Sequence, residues 1–109
     1  PSTWPETSCI AAIEAQASGT PVVASTPAAL SETVHDGVSG CLIPGDPRTA
    51  EFGRRFIETV VALMNDDGVW QKLSLGATHR NELLYDWNSI AKDWTAELER
   101  LIDMKKRGL

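Results

Sequence analysis

Cysteine is scarce in this chain, with Cys9 and Cys41 the only two among 109 residues. They share no CxxC spacing and no accompanying histidine pattern, which speaks against a zinc site or a dithiol redox motif, and two free thiols are expected. Histidine is equally thin. His35, beside the Asp36–Gly37 turn, and His79, on a polar helical face, read as solvated residues, and neither enters a candidate site. No run of about 18 apolar residues occurs, so no membrane span is expected, and no charged-then-apolar signal segment opens the chain. Positive charge is short as well: ten Lys and Arg stand against fifteen Asp and Glu, a formal charge of -5. Nucleic-acid binders present a basic stripe that releases counterions from the polymer, so no nucleic-acid partner is expected. Lys105, Lys106 and Arg107 form the one basic cluster, which reads as cations favouring a helix C-terminus. The acids are too dispersed for a ligand cluster, and neither metal nor cofactor is expected. The cytoplasm is the expected compartment, with peripheral attachment to a membrane left open for a longer protein.

What is present suits a folded protein. Apolar residues make up 42% and charged residues 23%, the balance of a soluble globular chain of one ordinary domain. Thr7 or Ser8 is expected to cap a first helix with Ile10, Ile13 and Ala17 near one face, and Gly19 to end it. Pro21 to Ala24 then reads as a short buried strand, the order that starts an α/β unit. Pro27 can open a short helix through Val34, the Asp36–Gly37 and Ser39–Gly40 pairs supply turns, and Cys41 to Ile43 forms a second strand. The remainder is helical. Phe52, Phe56, Val60 and Leu63 recur at three- and four-residue steps up to Asn65. Asp66 or Asp67 caps the next helix, with Trp70, Leu73, Ala77 and Leu84 on its buried side until Tyr85 and Asp86. A last helix carries Trp87, Ile90, Trp94, Leu98 and Leu101 on one stripe and ends at Gly108. This period predicts core packing, rather than sugar stacking, for Trp70, Trp87 and Trp94, while Trp4 stays open to either role. No repeat or linker divides the chain. Two short strands make a poor sheet, however, and the expectation is one partial domain over residues 1–109 whose upstream portion is missing.

Glu6 and Glu14 are the acids that draw attention. In a continuous helix they would lie about 12 Å apart along the axis and about 80° apart in rotation, too far for the paired carboxylates of a glycosidase. Between them Thr7, Ser8, Cys9 and Ile10 would start the helix, where free N–H groups and the positive dipole end suit an anion such as a diphosphate. Spacing alone favours the plainer alternative, in which Glu6 is a first-turn acid and Glu14 a solvated helical residue.

The ordered motifs of the first half alter that balance. Glu6 and Glu14, Ala17 with Gly19, Pro21, Val22 and Val23, then Glu32, Val34, Asp36, Gly37, Gly40 and Leu42 resemble the C-terminal domain of the family-4 (group 1) retaining glycosyltransferases. In that family two Glu separated by seven residues precede an A-x-G-x-P-V-V strand and an E-x-V-x-D-G-x-x-G-x-L segment, and Tyr85-Asp86-Trp87 resembles the start of its closing helix. The resemblance implies α/β architecture: an incomplete Rossmann-like half of a GT-B C-terminal domain, with few short parallel strands and much helix. It also implies a nucleoside-diphosphate sugar as partner. Glu6 would contact the transferred sugar as the catalytic-site acid, amides near Ser8, Cys9 and Ile10 would face the phosphates, and Glu14 would accept hydrogen bonds from ribose hydroxyls, with Thr7 completing the donor-binding run. Where the family commonly has Glu-x-Phe-Gly-Leu, this chain has Glu6-Thr7-Ser8-Cys9-Ile10, and Cys9 adds a side chain where backbone would approach a phosphate.

The function implied is glycosyl transfer from a nucleoside-diphosphate sugar with retained configuration, this chain supplying donor recognition only. Acceptor surface and basic groups would lie in the missing upstream domain, so no turnover by the chain alone is expected. Two rivals stand beside this reading: part of a nucleotide-sugar epimerase of the same fold, and a non-catalytic interaction module. The apolar stripe of the last helix further suggests that the isolated chain self-associates.

Overall fold

The computed structural model describes residues 1–109. Two parallel strands and five helices follow one another as α1 (Ile10–Ala17), β1 (Val22–Ser25), α2 (Leu30–Thr33), β2 (Gly40–Ile43), α3 (Ala50–Met64), α4 (Asp67–Tyr85) and α5 (Trp87–Lys106). The architecture is mixed α/β and mostly helical. β1 pairs with β2 in register from Val22 opposite Gly40 to Ser25 opposite Ile43. Parallel partners need a crossover rather than a hairpin, and residues 26–39 provide it, with α2 as its helical turn.

Local chemistry sets the boundaries. Gly19 at φ 79 takes the left-handed conformation that ends α1. The Gly19 amide donates to the Gln16 carbonyl at 3.0 Å and the Thr20 amide to that of Ala15 at 2.9 Å, the paired pattern that satisfies the last carbonyls of a helix. Gly108 at φ 74 ends α5 in the same way, with Leu109 donating to Met104 at 3.0 Å. Gly40 has a different reason for being glycine. A Cβ there would collide with the Val22 carbonyl of the neighbouring strand, so β2 can approach β1 only without a side chain at this point. Gly76 lets α4 lie directly against the Val38 carbonyl in the same manner.

The core is small and lies between α1, β1 and α2. Ala12, Ala24, Leu30 and Val34 form its apolar centre, flanked by Val22, Leu42 and Cys9. Gln16 is also buried, and its side-chain amide donates to the carbonyls of Ala12 at 3.0 Å and Thr33 at 3.2 Å, which ties α1 to the end of α2. The expected inward face of α1 is therefore rotated: Ala12 and Gln16 point inward, whereas Ile10 is 64% exposed. α4 braces this unit from outside. Asn81 donates to the Ile13 carbonyl at 2.8 Å and Arg80 to that of Glu32 at 2.7 Å.

Burial thins along the remaining helices. Phe52 and Leu63 in α3 and Leu73 and Ala77 in α4 are buried, and α5 buries no residue at all. The expectation of core packing for the helical tryptophans fails here. Trp70, Trp87 and Trp94 are 37, 80 and 64% exposed, and Leu84 is exposed too. The stripe on α5 is formed as the period requires, but α5 packs chiefly against α4, in a molecule elongated to 57 Å along its longest axis. Periodicity places residues on one face; a face becomes core only where another element covers it.

Candidate functional site

Residues 5–9 are not helical, and α1 begins at Ile10 with Cys9 in the N-cap position, one or two residues later than expected. Glu6 therefore precedes the helix while Glu14 lies in its second turn, and the 12 Å spacing of a continuous helix does not describe this pair. Long-range bonds hold the segment in place of helical ones. The Ala29 amide donates to the Glu6 carbonyl at 3.0 Å. The Ser2 amide donates to Ser25 Oγ at 2.9 Å, and that hydroxyl donates back to the Ser2 carbonyl at 2.9 Å.

How the helices begin distinguishes α1 from its longer neighbours. Thr49 Oγ1 accepts the Phe52 amide at 3.2 Å at the start of α3. Asp66 accepts the Val69 amide at 3.0 Å at the start of α4, and Asp86 accepts those of Asn88 and Ser89 at 2.9 and 3.2 Å at the start of α5. Cys9 caps nothing with its side chain. The Ala12 and Ile13 amides are satisfied by the Cys9 carbonyl, both at 3.1 Å. This leaves the Ile10 and Ala11 amides, the first two of the helix, without an acceptor in the chain, a partial positive charge facing outward.

Beside this open end lies a groove of about 410 Å³ between α1 and β1. Ala11, Ala12 and Ala15 form one wall and Val22, Val23 and Ala24 the other, while Ser2, Glu6 and Cys9 supply its polar edge. The small α1 side chains keep the groove wide. Burial pushes the Cys9 thiol above its ordinary range and the Glu6 carboxylate pushes it further, against a downward pull from the Ala12 amide. The balance of these influences favours the neutral thiol at Cys9.

Of the expected site residues, Glu6 and Cys9 come together at the groove. Thr7, Ser8, Ile10 and Glu14 lie outside its lining and are exposed. The sequence reading missed two contributors. Ser2 lines the groove through its bond to Ser25, a contact between residues 23 apart that no local pattern reports. Ala28, next to the residue that anchors Glu6, has φ 51, a left-handed conformation rare outside glycine. The Pro27-Ala28-Ala29 run gave no sign of it. No three His, Cys, Asp or Glu side chains converge in a metal-binding arrangement, and no helix is long and apolar enough to cross a membrane.

Comparison with known proteins identifies the family. The family described as glycosyl transferases group 1 matches residues 1–66, from the groove through α3. A D-inositol 3-phosphate glycosyltransferase of Streptomyces bingchenggensis is 39% identical over 82 residues, which cover 75% of this chain and 17% of that protein. One from Catenulispora acidiphila is 35% identical over 105 residues, 95% of this chain and 22% of that protein. A sucrose synthase of Denitrovibrio acetiphilus is 37% identical over 81 residues, 73% of this chain and 10% of that protein. The chain thus spans about a fifth or less of the length of these relatives. With more than half of its residues matched, including Glu6, Glu14 and both strands, the chain belongs to the group 1 glycosyltransferases.

Proposed function

We propose that residues 1–109 form the donor-recognition part of a retaining glycosyltransferase and hold a nucleoside-diphosphate sugar at the start of α1. The observation that carries this reading is the uncapped helix end. The three longer helices each carry a side-chain cap, Thr49 on the Phe52 amide, Asp66 on that of Val69 and Asp86 on those of Asn88 and Ser89. No side chain caps α1, whose Ile10 and Ala11 amides stand free beside a groove. A diphosphate supplies the acceptor oxygens and negative charge that such an end favours.

The acids divide the rest of the ligand. Glu6, its backbone fixed by Ala29, accepts hydroxyl hydrogen bonds from the sugar to be transferred. Glu14, exposed one turn further along, accepts those of the ribose. As a nucleoside diphosphate leaves, negative charge grows on its phosphate oxygens, and the free amides stabilise it from a direction fixed before reaction. The chain offers no basic side chain at this edge, so the remaining charge must be met by groups outside it. Transfer by the isolated chain is accordingly expected to be undetectable, while binding is retained.

Calorimetric titration with UDP, GDP and ADP tests the reading. One of the three should bind, and Glu14→Ala should weaken that binding by about tenfold, the loss of one charge-assisted hydrogen bond of about 1.5 kcal/mol. Robust transfer by the chain alone, or nucleotide binding indifferent to Glu14→Ala, would count against it.

A further inference from the structure

We propose that Trp4 is a carbohydrate platform at the rim of the groove, its indole taking the apolar face of the pyranose ring of a bound nucleoside-diphosphate sugar. This rests on the donor reading above and adds to it a side chain for the sugar that the groove lining does not contain.

The first observation is an exposed indole on a fixed backbone. Trp4 is 74% exposed, yet the chain on both sides of it is held. The Ser2 hydroxyl accepts the Trp4 amide and donates to the Trp4 carbonyl, both at 3.2 Å. Ser2 is itself tied to buried Ser25 by the two 2.9 Å bonds between amide, hydroxyl and carbonyl, and the Glu6 carbonyl accepts the Ala29 amide at 3.0 Å. Pro5 narrows the backbone choices of Trp4 further. A segment held in this way has little ordering entropy left to lose when its side chain meets a ligand.

The second observation is the company the indole keeps. Ser2 and Glu6 stand two residues to either side of Trp4 and both line the groove, which sets Trp4 at its edge and near the carboxylate. Thr3, Pro5, Thr7 and Ser8 around it are exposed, and none is a large apolar residue. A protein partner is met by a contiguous apolar patch, such as the stripe on α5. One aromatic face beside a carboxylate suits a sugar instead, whose ring hydrogens form an apolar face and whose hydroxyls donate to carboxylate oxygens. A nucleobase also stacks on an indole. The order of the acids decides between the two: in the donor reading the ribose lies at Glu14, within α1, and the transferred sugar at Glu6, two residues from Trp4.

Calorimetric titration of the 109-residue chain and of Trp4→Ala with UDP, GDP and ADP, and with the glucose conjugate of each, tests this. Trp4→Ala should weaken binding of the conjugate about tenfold while the matching diphosphate stays within about twofold, and Trp4→Phe, which keeps an aromatic face, should lose no more than about threefold. Circular dichroism should be unchanged, because the indole is no part of the buried core. The Trp4 indole N–H resonance, identified by its absence from Trp4→Ala, should move on addition of the conjugate and not of the diphosphate. Equal losses for diphosphate and conjugate would place the base on the indole. That result, no loss for either ligand, or exclusion of every conjugate by a chain that binds the diphosphate would overturn this inference and leave the donor reading standing; absence of all nucleotide binding by the unaltered chain would overturn both.

Discussion

Between Ala12 and Ile43 the chain buries Ala12, Gln16, Pro21, Ala24, Ser25, Leu30, Thr33, Val34, Ser39, Gly40 and Ile43, whereas from Ala50 to Leu109 it buries only Phe52, Leu63, Leu73 and Ala77. The ends of the helices show the opposite pattern. In the second half each helix has a side-chain cap at its start, from Thr49, Asp66 and Asp86, and α3 adds the i,i+4 ion pairs Arg54–Glu58 and Arg55–Glu51 along exposed faces. In the first half α1 buries Ala12 and Gln16 against the core but has no side-chain cap at its start. Each half is therefore incomplete in a different way: the helices lack a cover for apolar surface, and the first helix of the α/β unit lacks a side-chain cap. An unmet apolar face calls for another protein surface, and an unmet pair of amides calls for an anion.

This contrast can be broken most severely in the buried half. Gly40→Ala puts a Cβ into the Val22 carbonyl at the first rung of the sheet. It should cost about 3 kcal/mol or more, or prevent folding, measured by urea denaturation with circular dichroism. An equal change in the capped half should be much milder. Asp86→Ala removes the acceptor for two amides at the start of α5, and the loss should be about 1 kcal/mol, read as lower helicity and faster amide exchange confined to α5. A loss of the whole fold from this variant would show that α5 is coupled to the core more tightly than its exposure allows. The smallest effect sharpens the comparison within the first half. Ala28→Gly relieves a left-handed residue and should be stabilising by about 0.5 to 1 kcal/mol in thermal unfolding. A destabilised variant would mean that Ala28 holds its conformation through its methyl group.

Much of this contrast is legible in the residues themselves. Gly19 and Gly108 end helices where expected because left-handed closure has a local chemical signature, and Asp66 caps α4 for the same reason. The two strands fall within a residue of their predicted bounds, since short apolar runs between Pro, Gly and turn pairs leave little other choice. The start of α1 was misplaced because its competitor is not local: residues 2–6 are drawn to Ser25 and Ala29, and such bonds leave no trace in a window of neighbours. The stripe on α5 shows the other limit. Trp87, Trp94 and Leu98 lie on one face as predicted, but sequence period does not say whether the same chain provides the opposing surface.

The open start of α1 is the claim on which the functional reading depends, and Cys9→Asp tests it directly by titration of the nucleoside diphosphate that binds the unaltered chain. The carboxylate would cap the Ala11 and Ala12 amides and repel a diphosphate, so the variant should be as stable as the parent or more so, by about 1 kcal/mol, while nucleotide affinity falls at least about tenfold. Equal affinity in the two proteins, or no binding of UDP, GDP or ADP by the unaltered chain, would contradict it.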